Sequence, residues 1–339
     1  MSPVLLFGGT SRERLVSVAS AQALAGVLRH ARLWFWDAED AFTEVARDEL
    51  LAHEQPFEIS FRPAGQPFAR DIGSMLDAAS AGDHVLVLAL HGGDTENGVF
   101  AARCEERRVP FTGSGAAASR TAFEKPKAKD VVQARGLHVA PSLQVANPDE
   151  ASDGRVAAWL KRYKRLVAKP AADGSSCGLL FIDRSEDIAR VTELASSGIY
   201  LVEPFLSGVE VTVGVAEWDG GAEALPPVEI RPVAGRVFDY AGKYLGQGVS
   251  EICPAQLPAK CLEELKRSAL VAHKALGAFG YSRTDFIVTE EGPIFLELNT
   301  LPGLTTTSLF PLALKTAGRS LEEFLGAQQR LARGRYQHS

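Results

Sequence analysis

Asp285, Glu297 and Asn299 supply two carboxylates and an amide oxygen, the hard donors that Mg2+ takes. They lie in two short segments, Arg283-Thr284-Asp285-Phe286-Ile287-Val288 and Ile294-Phe295-Leu296-Glu297-Leu298-Asn299. Glu290-Glu291-Gly292-Pro293, between them, is turn chemistry. Both segments alternate polar and apolar residues, as strands with one face in a site would. Strand alternation predicts Phe295, Glu297 and Asn299 on one face and Ile294, Leu296 and Leu298 on the other. In an antiparallel pair Asp285, Glu297 and Asn299 can then meet on one surface, with Arg283 on the same side. The competing reading is a surface hairpin with solvated charges.

Other stretches offer phosphate chemistry. Lys169 ends an apolar run and leads into Ala171-Ala172-Asp173-Gly174-Ser175-Ser176-Cys177-Gly178. A Gly- and Ser-rich loop behind a lysine can fold its amides over phosphates. It is not a Walker A loop, which needs a Gly-Lys-Ser/Thr ending that opens a helix. A plain hairpin loop is the alternative. Lys125, taken alone, reads as a solvated helix charge. His91 follows the apolar run His84 to Leu90, where open α/β sheets bind ligands, although a turn-stabilising histidine fits too.

These groups need a frame. Pro3 to Phe7 reads as a buried strand, followed by Gly8-Gly9 and a helix to about Leu28. Arg32 to Phe35 is a second strand, and His84 to Leu90 a central parallel one. Residues from about Asp37 to Arg70 resist assignment. Ala116 to Gly136 is helical, and Pro126 should kink or divide it. Later strands are expected at Arg165 to Pro170, Leu179 to Ile182 and Val211 to Ala216, and Ile199 to Leu206 reads as a strand and an apolar linker. Phe238 to Gly248 reads as a mobile loop of the kind that covers active sites. Pro258 to Phe279 is a long amphipathic helix.

At 339 residues, two or three domains are expected. A hydrophobic content of 46% and a charged content of 23% suit a soluble globular enzyme. The net charge of −6, with no basic block, argues against nucleic acid. No apolar run approaches bilayer length, and the start lacks the basic region of a signal peptide. Cys104, Cys177, Cys253 and Cys261 form no CxxC pair and read as free thiols in a reducing cytoplasm.

Several of these stretches, in order, resemble the ATP-grasp D-alanine–D-alanine ligases of peptidoglycan synthesis. GGTSRE with Ser17 resembles Gly-Gly-x-Ser-x-Glu…Val-Ser. LHGGDTENG resembles Leu-His-Gly-x-x-Gly-Glu-Asp-Gly, and PFTGSG is similar to Tyr-Thr-Gly-Ser-Gly. AKPAADGSSCG resembles Val-Lys-Pro-x-x-x-Gly-Ser-Ser-Val-Gly, and FDYAGKY resembles Tyr-Asp-Tyr-x-x-Lys-Tyr. RTDF…FLELNTLPGLTTTSLFP resembles Arg-x-Asp…Glu-x-Asn-Thr-x-Pro-Gly-x-Thr-x-x-Ser. Each is weak alone; their shared order over nearly the whole chain is specific.

The resemblance implies an α/β, three-domain ATP-grasp architecture: residues 1–114 as an open parallel α/β domain, then 115–204 and 205–339 clasping ATP. It implies that ATP phosphorylates one D-alanine and that the amine of a second attacks the acyl phosphate. Glu13 would bind the first ammonium, and Ser175 and Tyr244 would join it in a link that holds the lid shut. Lys125, Lys169 and Lys243 would sit on the phosphates, beside Ser176 of the Gly-Ser loop. Glu203 and Leu206 would contact adenine, and Glu210 the ribose. Asp285, Glu297 and Asn299 would bind Mg2+ or Mn2+, as two ions. Arg283 and the Gly303 amide would receive the oxyanion, and Ser308 and Leu309 the second carboxylate, with His91 nearby. A homodimer is also implied.

The chain departs from the family pattern at Thr95, Asn97, Glu124, Cys177, Pro204, Ala241 and Thr307. Several of these lie on the second-substrate side, so D-lactate, D-serine or another amino acid stands as an alternative nucleophile. The Lys243-Tyr244 pair resembles the dipeptide-forming branch. A catalytically dead nucleotide-binding protein would require lost ligands, and Lys169, Arg283, Asp285, Glu297 and Asn299 are all present.

Overall fold

The computed structural model describes residues 2–172, 178–232 and 249–336. Ser175, Ser176, Lys243 and Tyr244 lie outside the described residues, as does the whole of the expected lid.

The chain opens with a four-stranded sheet of β1 (Ser2–Gly8), β2 (Arg32–Trp36), β3 (Phe42–Glu44) and β4 (His84–Leu90), in the order β3-β2-β1-β4. β1 runs parallel to β2 and β4, and β3 antiparallel to β2. Val4 to Phe7 are fully buried, which explains the unbroken apolar runs of central parallel strands. Helices α1 (Arg14–Val27), α2 (Arg47–Leu51), α3 (Ile72–Ala81) and α4 (Val99–Glu106) accompany the sheet. The stretch that resisted assignment holds β3 and α2, elements too short to show a period.

Pro126 divides the next helix as expected. It stands in the first turn of α6 (Lys125–Gln133), where a missing N–H costs nothing, and α5 (Ala116–Phe123) ends before Glu124. After β5 (His138–Val139) comes a smaller antiparallel sheet. It comprises β6 (Leu143–Val145), β7 (Leu166–Pro170), β8 (Leu180–Ile182) and β9 (Tyr200–Pro204), ordered β6-β9-β7-β8. α7 (Pro148–Ser152), α8 (Arg155–Tyr163) and α9 (Ile188–Leu194) accompany it, and Val145, Val156, Leu166, Val191 and Val202 form its core.

The third sheet has seven strands. β10 (Val209–Trp218), β11 (Gly221–Ala224), β12 (Val228–Pro232), β13 (Val249–Ile252), β14 (Tyr281–Thr289) and β15 (Gly292–Asn299) are joined by β5. The order is β13-β12-β10-β14-β15-β5, with β11 on β10. One face packs Val211, Val213, Val215 and Phe286 against α10 (Ala259–Ala275) and residues of α5 and α6. Across the other face Thr212 pairs with Asp285 and Asp285 with Glu297. The chain closes with α11 (Leu309–Thr316) and α12 (Leu321–Gly334).

The expected hairpin is there, but its alternation is broken. A β-bulge follows Asp285, so that Asp285 pairs with Glu297 while Phe286 pairs with Phe295. Leu296 is the extra residue. Phe295 therefore turns into the core with Leu298 instead of sharing the face of Glu297 and Asn299. Strict alternation from Asn299 would have put this 1% exposed phenylalanine in the site.

Polar ties fix the hairpin to its neighbours. His273 of α10 bonds Ser282 Oγ through Nδ1 (2.7 Å) and Glu217 Oε1 through Nε2 (3.1 Å). Ser282 is fully buried, so this set holds β14 in place just before Arg283 rather than meeting any substrate. Arg335 lies 4.1 Å from the Phe111 ring and 4.5 Å from that of Phe279, and it donates to the Gly113 carbonyl. The first sheet and the hairpin are thus joined through the C-terminal tail.

Candidate active site

The carboxyl ends of β1 and β4 converge on Glu13, His91 and Glu96. Ser11 Oγ donates to the His91 carbonyl at 2.5 Å and accepts the Glu13 amide at 3.1 Å. Gly92 has φ +70°, and a Cβ there would collide with Glu13 Oε2. The Glu13 carboxylate thus lies directly against this glycine. His91 is 4% exposed, bonds Ser20 Oγ through Nε2 (2.9 Å) and also bonds the Leu301 backbone. Burial pushes its imidazolium below the usual range, against the pull of Glu13. His91 therefore links the first sheet to the loop that carries Gly303 and Ser308.

Glu96 was not singled out as a site residue in the sequence. Its carboxyl is pushed up to about 8, first by burial and then by Glu13 and Glu297, while the Gly92 amide and Arg283 oppose the rise. It therefore stands between the ammonium candidate and the metal candidate. The departures beside it build the turn that delivers it. Thr95 Oγ1 donates to the Gly92 carbonyl (2.7 Å), and Asn97 bonds Asp94 and the Val99 amide (both 2.9 Å).

On the hairpin, Arg283 grips Asp285 with two parallel bonds, Nε to Oδ1 at 2.9 Å and Nη2 to Oδ2 at 2.8 Å. Thr212 Oγ1 donates to the same Oδ1 at 2.5 Å. Asp285 lies opposite Glu297, and Arg283 opposite Asn299. The donor set fits Mg2+: two carboxylates on paired positions and an amide oxygen two residues on, with one lone pair left on Asp285 Oδ2 beyond those bonds. Lys125 Nζ lies 3.4 Å from Glu297 Oε2, and its backbone amide bonds the Ala171 carbonyl (2.9 Å) just past Lys169.

Glu203 is buried on β9. Lys129 takes its Oε1, and Lys169 its Oε2 at 2.8 Å. Burial opposes ionisation of Glu203, but the two ammonium groups outweigh it and hold the carboxyl below the usual range. Burial pulls Lys129 below its usual range, against Glu203. Lys129, which carries no motif of its own, stands four residues after Lys125 and so shares its helix face. Leu206 lies half-buried just past β9, in the segment before Glu210, which sits on β10 opposite Ile230 and Ile287.

In the last loop Ser308 Oγ accepts the Thr305 amide at 3.1 Å and lies 2.7 Å from Thr305 Oγ1. A Cβ at Gly303 would stand 2.7 Å from Ser308 Oγ, so only glycine lets that hydroxyl approach. Ser308 stands at the N-cap position of α11 without a side-chain capping bond, and Leu309 starts the helix with its side chain in the core. The amide of Leu309 thus belongs to a helix N-terminus, which favours a carboxylate. Thr307 Oγ1 lies 3.2 Å from Thr305 Oγ1, beside this anchor.

The family described as D-ala D-ala ligase N-terminus matches residues 3–114, and D-ala D-ala ligase C-terminus matches residues 131–327. A D-alanine–D-alanine ligase of Oleidesulfovibrio alaskensis is 36% identical over 331 residues, 96% of this chain and 94% of that protein. One from Nitrosomonas europaea is 32% identical over 324 residues, 95% and 93% of the two chains. Among solved structures, the D-Ala:D-Ser ligase VanG of Enterococcus faecalis has a TM-score of 0.79 at 24% identity, covering 98% of this chain and 99% of that one. The ligase of Coxiella burnetii gives 0.79 at 22% identity, covering 99% and 95%, and these two show the fold. Together with full-length relatives above 30% identity, the matched domains settle the kinship: this chain belongs to the D-alanine–D-alanine ligase family.

Proposed function

We propose that the protein is an ADP-forming ligase that joins two D-alanines through an acyl phosphate, for peptidoglycan precursors. The observation that carries this reading is the convergence of Glu13, Glu297 and Arg283 on buried Glu96, with Asp285 held by Arg283. An amino acid carboxylate is a poor electrophile, and phosphorylation gives it a leaving group. Glu13 holds the ammonium of the first D-alanine, which aims its carboxylate toward the hairpin. Lys125 and Lys169, with Lys243, hold the phosphates. Leu206 and the Glu203 backbone meet adenine, and Glu210 the ribose. Asp285, Glu297 and Asn299 would hold divalent ions, a pair of Mg2+ or Mn2+, which would supply charge neutralisation on the phosphates.

The second D-alanine is anchored by its carboxylate at Ser308 and the Leu309 amide. Its amine attacks the acyl phosphate, and the developing oxyanion falls to Arg283 and the Gly303 amide. Asp285 fixes the plane of the Arg283 fork, so the donor is oriented before charge develops. Collapse of the tetrahedral intermediate expels phosphate. Ser175, Ser176 and Tyr244 complete the closed site in this reading. A ligase that consumes ATP works where ATP is, so we place it in the cytoplasm, and the family resemblance supports a homodimer. Among the described residues no helix is long and apolar enough to cross a membrane.

The test is phosphate release with ATP, Mg2+ and a panel of D-alanine, D-serine and D-lactate. D-alanine alone should support turnover and yield the dipeptide. Turnover only when D-serine or D-lactate is added would transfer the reading to a mixed-product ligase. No turnover with any of them would remove it.

A further inference from the structure

Three charged side chains meet between α6 and the smaller sheet, and only two of them had an expected role. Lys129 and Lys169 hold the two oxygens of one Glu203 carboxylate. The Lys129 and Glu203 side chains are 5% and 7% exposed and that of Lys169 is 15% exposed. The strand register makes the arrangement exact in its faces. β7 pairs Val167 with Glu203 and Lys169 with Leu201, so Lys169 and Glu203 are diagonal neighbours on one face. Lys129 reaches the same carboxylate from outside the sheet. Its helix also brings Lys125 to Glu297, so one helix face delivers an ammonium to each side of the cleft.

We propose that Lys129 is a positioning residue for the nucleotide. By occupying Glu203 Oε1, it keeps Lys169 committed to a single oxygen, so that Lys169 can turn to the phosphates. This rests on the reading above, in which Lys169 serves the phosphates. The charge count gives the reason. Two ammonium groups share one carboxylate, so Lys169 can part from it while Lys129 keeps the carboxylate paired. Without Lys129 the cluster is neutral, and Lys169 is the sole partner of a buried carboxylate. Breaking that pair to reach a phosphate would strand an unpaired charge, which is strongly unfavourable.

The experiment uses the full-length enzyme and steady-state kinetics with ATP and D-alanine varied separately. Turnover of the wild type with ATP and D-alanine first establishes the underlying reading, and its absence would remove that reading rather than the role of Lys129. Lys129→Met should raise the KM for ATP about tenfold or more, with the KM for D-alanine within about twofold. Lys129→Arg keeps the charge and should stay near wild type. Adding Glu203→Gln to Lys129→Met should recover most of the ATP KM, because Lys169 is then released. If Lys129→Met does not fold, the comparison moves to Glu203→Gln with and without Lys129→Met. Equal ATP KM values in that pair support action through Glu203 alone. An unchanged ATP KM in Lys129→Met, a uniform loss that follows the folded fraction, or unequal values in the Glu203→Gln pair would overturn the proposal.

Discussion

Replacing Glu96 with Gln should stabilise the ligand-free protein at alkaline pH and leave it unchanged in acid. In the folded state the Glu96 carboxyl is pushed from an ordinary 4.5 to about 8, by burial and by the nearby Glu13 and Glu297. The folded value lies above the unfolded one, so the unfolded chain gives up its proton first. Stability is therefore full below about 4.5 and is lost as pH rises toward about 8. At about 1.4 kcal/mol per pH unit, that interval amounts to about 5 kcal/mol. Gln reproduces the neutral acid's shape and does not ionise. Urea unfolding of both proteins from pH 4.5 to 9 should give nearly coincident midpoints at the acid end. The variant should then gain progressively, levelling off near pH 8. Subtracting the two profiles removes the contribution of His91, whose depressed value is common to both. Parallel profiles across the range would show that Glu96 ionises freely, and that it is not buried with Glu13 between substrate and metal.

Other changes probe other joints. Gly92→Ala places a methyl group on Glu13 Oε2 at a positive φ; it should cost about 1–2 kcal/mol in thermal unfolding and raise the D-alanine KM several-fold. An unaffected KM would mean that Glu13 does not hold the ammonium. Glu297→Gln should lower Mg2+-dependent phosphate release by about a hundredfold or more with the circular dichroism spectrum intact; near-normal turnover would take Glu297 out of the metal set. Phe295→Ala should destabilise by about 3–5 kcal/mol and Leu296→Ala by clearly less, since the bulge buries the first and not the second. Equal losses would contradict that register.

Much of this site was legible because its chemistry sits at the ends of strongly patterned elements. The apolar runs of β1 and β4 marked the sheet, and Pro126 marked the division between α5 and α6. The facing of Asp285 and Glu297 was readable because β14 and β15 are joined by a short turn that fixes their pairing. What escaped has a physical reason in each case. The bulge at Leu296 follows from Phe295 packing against Phe286 and α10, a tertiary preference that overrides the period of two. Glu96 joins the candidate site through burial beside Glu13 and Glu297, and burial is not written in the loop's own sequence. Nothing in its own helix marks Lys129, because its partner Glu203 comes from β9, 74 residues away. The two-residue β5, which joins the seven-stranded sheet beside β15, is too short to carry any pattern.

The most direct test of the central claim follows an oxygen atom. The enzyme is incubated with ATP, Mg2+ and D-alanine carrying 18O in its carboxylate, and the products are read by mass spectrometry. Attack of that carboxylate on the γ-phosphate, followed by displacement by the second amine, predicts D-alanyl-D-alanine together with phosphate that holds one 18O. Unlabelled phosphate, or ADP formation without dipeptide, would contradict an acyl phosphate made and consumed at this site.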